Sequence, residues 1–96
     1  MRPVHPGEVL RDELDHLGIS ASGFARALGV PANRITAILK GQRGISADSA
    51  LRLARYFGSG PEIWMNLQTN HDLTSVNPPK RVKKLVARQA HRAATG

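Results

Sequence analysis

Residues 29–41 read GVPANRITAILKG, and this stretch decides how the chain folds. Pro31 is suited to the start of a helix, and Gly41 is suited to its end. Between them Ile35 and Ile38 share one face, because residues three or four positions apart are neighbours on a helix. The opposite face carries small and polar side chains, namely Asn33, Ala37 and Lys40.

A second short helix precedes this one, and the link between the two is very tight. Ser20 suits its N-cap, Phe24 and Leu28 follow at helical spacing, and Gly29 ends it. The link at residues 29–31 is too short for antiparallel helices, so the two helices cross steeply. This is the geometry of a helix-turn-helix.

Helix start and stop residues recur along the rest of the chain, and no segment alternates as a strand does. Pro6 and Gly18 bound a first helix, Ser46 and Gly58 bound a fourth, and Pro61 starts a fifth. Gly60 precedes that proline, so we expect Ser59 to cap the fifth helix. We predict an all-α fold, an orthogonal bundle of five helices that contains a helix-turn-helix.

Composition and motifs argue against an enzyme. The 96 residues, 41% of them hydrophobic, suffice for one modest core, and the absence of cysteine excludes thiol nucleophiles and Cys-based zinc sites. Residues 12–15 form an acidic cluster, but its side chains point in different directions around a helix. The histidines have no metal-ligand spacing; they are His5, His16, His71 and His91. We therefore predict no catalytic residue, no metal site and no cofactor.

No apolar run approaches the roughly 20 residues that cross a bilayer, and the first residues lack the apolar core of a signal peptide. We therefore expect a cytoplasmic protein with no membrane partner.

The net charge of +7 is concentrated at one end of the chain. After Pro78 there are six basic residues and no acidic one, whereas residues 1–77 hold 8 basic and 7 acidic groups. We predict a DNA-binding domain at 1–77 and a basic tail at 78–96. The tail either forms a short amphipathic helix that docks on a partner, stays mobile and contacts phosphates, or has no function. In such a helix the apolar stripe consists of Val82, Leu85, Val86 and Gln89, and the basic stripe consists of Arg81, Lys84, Arg88 and Arg92.

The outward face of the third helix suits the major groove of DNA. Asn33 can pair with adenine through two hydrogen bonds, Arg34 can reach guanine or phosphate, and Lys40 suits phosphate. Three further side chains can touch thymine methyl groups: Ala32, Thr36 and Ala37. An ordinary solvated face is the alternative, but the succession of capped helix, glycine turn and polar-faced helix favours DNA binding.

Three motifs resemble the HigA antitoxins, a branch of the Xre-type helix-turn-helix group that includes VapI-like proteins. They are HPGE at residues 5–8, GxRxIxAxxALRLA at 41–54 and ExWxNLQ at 62–68. The similarity runs from about Arg2 to Leu73. It implies a homodimer that represses its own operon by binding operator DNA. It also implies a partner, a HigB-like ribonuclease toxin of the RelE type, that the antitoxin neutralises.

The resemblance also implies residue roles. Base edges would be contacted by Ala32, Asn33, Thr36 and Ala37. Phosphates would lie near Ser20, Ser22, Arg34, Lys40 and Arg43. Trp64 and Leu67 would belong to the core and the subunit interface.

Two other functions remain open. One is a solitary Xre-type repressor without a toxin, which the neighbouring reading frame would distinguish. The other is a nucleoid-like or RNA-binding protein that acts through the basic tail and is indifferent to sequence.

Overall fold

Five α-helices and no strands make up the part of the chain that the structure describes. It is a computed structural model and describes residues 4–85. The helices are α1 (Pro6–Leu17), α2 (Ala21–Leu28), α3 (Ala32–Leu39), α4 (Ala47–Phe57) and α5 (Glu62–Ser75). The predicted all-α bundle of five helices is confirmed.

Side chains cap the helices where the sequence predicts it, with one exception. Ser20 Oγ accepts a hydrogen bond from the Gly23 N–H (3.1 Å), and Ser46 Oγ accepts one from the Ser49 N–H (3.2 Å). The N-cap of α5 is Pro61, and no side chain bonds there. The prediction that Ser59 caps α5 is therefore wrong, because the first turn bonds directly to the Pro61 carbonyl oxygen.

The turn between α2 and α3 depends on Gly29. Its φ of 73° is left-handed, a conformation that a residue with a Cβ rarely adopts. The Gly29 N–H donates to the Arg26 carbonyl (3.2 Å) and the Val30 N–H to the Ala25 carbonyl (3.0 Å). These bonds satisfy carbonyl groups at the end of α2, and the chain enters α3 immediately afterwards.

All five helices meet around one apolar core. Phe24 of α2 and Leu10 of α1 are fully buried, and Ile35 and Ile38 of α3 are 2% and 1% exposed. The remaining members of the buried cluster are Leu14, Ala25, Leu28, Ile45, Ala50, Leu53 and Trp64. Burial of Ile35 and Ile38 fixes which side of α3 faces outward.

The first helix crosses the end of the third at Gly7. A Cβ added to Gly7 would overlap the carbonyl oxygen of Ile38, so this close approach requires a residue without a side chain. The backbone contact sets how deeply the start of α1 sits against α3.

The segment after α5 is exposed and irregular as far as it is described. Residues 77–85 contain no helix. The amphipathic helix predicted for the tail is therefore not formed at residues 81–85, and the rest of that prediction lies outside the described residues. None of the helices described between residues 4 and 85 has the length and apolar character that a membrane span needs.

Candidate nucleic-acid interface

The outer face of α3 carries the four predicted base-contacting residues. Ala32 and Asn33 are exposed, whereas Thr36 and Ala37 are partly buried. The Thr36 hydroxyl lies 3.3 and 3.2 Å from the carbonyl oxygens of Ala32 and Asn33 and donates its proton to them. Thr36 therefore presents its methyl group and its oxygen lone pairs, which suits the predicted contact with a thymine methyl group.

The start of α2 and the end of α3 carry the residues predicted to lie near phosphates. Ser20 uses its hydroxyl oxygen to cap α2, and its hydroxyl proton is left for another acceptor. Ser22, Lys40 and Arg43 are exposed. Exposed donors at both ends of the helix-turn-helix are suited to phosphate contacts on either side of a groove.

Arg34 differs from these residues, because its guanidinium already has a partner. Arg34 Nη1 lies 2.7 Å from Asp48 Oδ2, and the Arg34 side chain is only 24% exposed. The same carboxylate oxygen accepts from Arg52 Nε at 2.9 Å. In this structure Arg34 is therefore paired with α4 and is not a free cation.

Arg52 anchors this ion-pair network to α2. Its Nη1 donates to the Leu28 carbonyl oxygen at 2.7 Å, so one arginine joins the end of α2 to Asp48 in the first turn of α4. Hydrogen bonds from Arg52 and then from Arg34 hold the pKa of the Asp48 carboxyl below its usual value. Asp48 is therefore ionised at neutral pH and links α3 to the Arg52 anchor.

Asp48 and Arg52 are not among the residues predicted from the sequence to contact DNA. Their spacing of four residues on one helix is typical of an ion pair. The contact with Arg34, 14 residues away, depends on how α3 and α4 pack.

Trp64 and Leu67 lie where α5 packs against the bundle. Trp64 is 5% exposed, and its ring centroid is 5.9 Å from that of Phe57. A groove of about 250 Å³ runs beside it and is lined by Val9, Glu13, Phe57, Ser59, Ile63, Trp64 and Leu67. The Trp64 Nε1 is buried and has no hydrogen-bond acceptor among the described residues. Ile63 is 54% exposed, so the core does not account for all apolar residues of α5.

The structure brings together two of the scattered histidines. His5 and His71 pack edge to face, with 4.8 Å between ring centroids. Between residues 4 and 85, no group of three or more His, Asp and Glu side chains is arranged to hold a metal ion.

Comparison with known proteins identifies similar chains. A helix-turn-helix family matches residues 10–64. Virulence-associated protein I of Dichelobacter nodosus is 49% identical over 82 residues, which are 84% of this chain and 76% of that protein. The structure of the Pseudomonas aeruginosa antitoxin HigA with the higBA promoter is 52% identical, has a TM-score of 0.76 and covers 77% of this chain and 82% of its own. The antitoxin GraA in complex with its operator is 45% identical, with a TM-score of 0.83 over 91% of this chain and 95% of its own.

Proposed function

The chain belongs to the HigA branch of the helix-turn-helix family, and we propose that it is the antitoxin of a type II toxin-antitoxin pair. It represses its own operon by binding operator DNA as a homodimer, and it neutralises a HigB-like ribonuclease toxin of the RelE type. The observation that carries the proposal is the placement of α3. Buried Ile35 and Ile38 turn Asn33 outward, in a chain 45% identical to an antitoxin whose structure includes its operator.

In this function α3 enters the major groove. Ala32, Asn33, Thr36 and Ala37 contact base edges, and Asn33 pairs with adenine. Ser20, Ser22, Lys40 and Arg43 contact phosphates and fix the position of the helix along the groove. Arg34 contacts a phosphate only if it leaves Asp48.

A homodimer supplies the second reading helix. One domain of this size presents a single short helix to DNA, which makes few contacts. Two copies related by a two-fold axis place their α3 helices in successive major grooves about one helical turn apart. The exposed Ile63 and the groove beside Trp64 and Leu67 support α5 as the interface.

The dimer is tested by mass measurement in solution and on DNA. The wild-type chain should be a dimer at micromolar concentration, and Ile63→Arg should give a folded monomer with weaker operator binding. A wild-type chain that stays monomeric both free and on DNA contradicts the proposed assembly.

The toxin is tested by co-expression with the product of the neighbouring reading frame. The two proteins should co-purify, and addition of the antitoxin should stop RNA cleavage by the isolated toxin. A chain that selects a specific duplex from a random-sequence DNA library but binds no neighbouring product is instead a solitary repressor. Equal binding to all duplexes contradicts both functions.

A further inference from the structure

We propose that Asp48 determines how strictly the chain prefers its operator, because it holds Arg34 away from DNA phosphates. This inference rests on the proposed DNA-binding function and adds a specificity-determining residue that lies outside the reading face. Asp48 belongs to α4, whereas the residues that read bases belong to α3.

The position of Arg34 makes its charge important. It lies between Asn33, which is exposed on the reading face, and Ile35, which is buried in the core. If α3 enters the major groove as proposed, a free arginine at this position lies at the edge of the reading face, where it can bind a phosphate. Such a contact adds affinity for any sequence and therefore lowers the ratio of specific to non-specific binding.

A contact with Arg52 holds the Asp48 carboxylate in the position where it pairs with Arg34. Arg52 is fixed by its bond to the Leu28 carbonyl oxygen, and its Nε donates to the carboxylate of Asp48. That carboxylate then accepts from Arg34 at 2.7 Å. These contacts run from the Leu28 carbonyl oxygen through Arg52 and Asp48 to Arg34. They connect α2, α4 and α3, so the Asp48 side chain is held in one orientation.

The role of Asp48 is separable from folding. Its side chain is 56% exposed, and exposed ion pairs contribute little to stability. An Asp48→Asn variant therefore keeps the fold and leaves the Arg34 charge uncompensated, so a phosphate can compete with the neutral amide oxygen for the guanidinium. A purely structural role for Asp48 would change the melting temperature and leave the salt dependence of DNA binding as it was.

The experiment measures binding to two duplexes of equal length over a range of salt concentrations. One duplex is the sequence preferred by the wild-type chain in selection from a random library, and the other is a scrambled sequence. The matched control is Asp15→Asn, which removes one negative charge from the end of α1, where no ion pair joins Asp15 to a described residue.

Asp48→Asn should bind the scrambled duplex several-fold more tightly, and its preference for the selected duplex should fall. The slope of log K against log salt should steepen by about 0.9 for each Arg34 that gains a phosphate. Asp15→Asn should keep the wild-type slope. Adding Arg34→Gln to Asp48→Asn should restore the wild-type slope on the scrambled duplex.

Three results would overturn the inference. They are an Asp48→Asn variant with the slopes of Asp15→Asn, an unchanged preference for the selected duplex, and a steep slope that persists after Arg34→Gln. If the wild-type chain still prefers its selected duplex in these experiments, the proposed DNA-binding function stands although the inference about Asp48 fails. A wild-type chain without sequence preference overturns the proposed function as well, since there is then no specificity for Asp48 to protect.

Discussion

The imidazole rings of His5 and His71 meet edge to face, with their planes at 76°. His5 precedes α1 and His71 lies near the end of α5, so this contact ties the two helices together. His5 Nδ1 also accepts a hydrogen bond from the Gly7 N–H at 2.9 Å, and Glu8 Oε2 accepts from the His5 N–H at 3.1 Å. Together these bonds form a capping box at the start of α1.

The stability of the domain should fall when the pH drops below about 6.5. Burial first, and then the positive charge of His71, hold the pKa of His5 below its ordinary value of 6.5, although Glu8 and Asp72 oppose them. Because the folded pKa is the lower one, unfolding takes up a proton between the two values. The contribution of His5 is therefore complete above pH 6.5 and is lost as the pH falls from there through the folded pKa.

Chemical denaturation at several pH values measures this dependence. His5→Asn keeps an N-cap acceptor and does not titrate, so it should flatten the pH dependence in this range. His5→Ala should cost about 1 kcal/mol at pH 7.5, because the cap is lost. An equally steep pH dependence in His5→Asn would assign the titration to another group.

Gly7→Ala should destabilise the domain by about 3 kcal/mol, since the new Cβ overlaps the Ile38 carbonyl oxygen and pushes α1 away from α3. Thermal or urea unfolding measures the loss. Gly60→Ala is the matched control, because its Cβ meets only the flexible carboxylate end of Glu62. Equal stability of the two variants would contradict the close approach of α1 and α3.

Asn33→Ala should weaken binding to the selected duplex by about 1–3 kcal/mol, because the variant cannot form the two hydrogen bonds to adenine that we propose for Asn33. Binding to scrambled DNA and the unfolding midpoint should stay near the wild-type values, since the Asn33 side chain is exposed. Asn70→Ala, an exposed position on α5, is the control and should change neither. Equal loss on both duplexes would rule out the adenine contact.

Trp64→Ala should cost about 3–5 kcal/mol of unfolding free energy, because a large ring that packs on Phe57 is removed from the core. Leu73→Ala lies on the same helix but is 72% exposed, so it should change stability by no more than about 0.5 kcal/mol. Urea unfolding of both variants compares them. A Trp64→Ala variant as stable as Leu73→Ala would contradict the burial of the indole ring.

Deletion of residues 78–96 tests the basic tail. If its six positive charges contact phosphates, the truncated chain should bind selected and scrambled duplexes more weakly and show a flatter salt dependence. Each lost contact should remove about 0.9 from the slope. A truncated chain that keeps its salt slope but no longer binds the toxin or dimerises would show that the tail is a docking segment.

Local signals in the sequence were sufficient to predict most of the fold. Ser20 and Ser46 cap helices as expected, because an N-cap depends on residues only two or three positions away. His5 caps α1 through a neutral ring nitrogen, and a lone histidine does not indicate this unless Glu8 is considered with it. At α5, a helix start with no side-chain cap could not be distinguished from one capped by Ser59.

The candidate site was less predictable than the fold. Helical spacing alone indicates that Asn33 faces away from Ile35 and Ile38. The partner of Arg34 depends on the distance between α3 and α4, which no local pattern contains. For the same reason the bond from the Ile45 N–H to Gln68 Oε1, 23 residues apart, was not predictable.

The shortness of α2 and α3 has a consequence for how the proposed DNA binding depends on folding. Each has eight residues, and isolated helices shorter than roughly 12–15 residues are marginal in water. The proposed reading helix α3 therefore depends on its packing against the rest of the bundle, and we expect conditions that unfold the bundle to abolish DNA binding together with the fold.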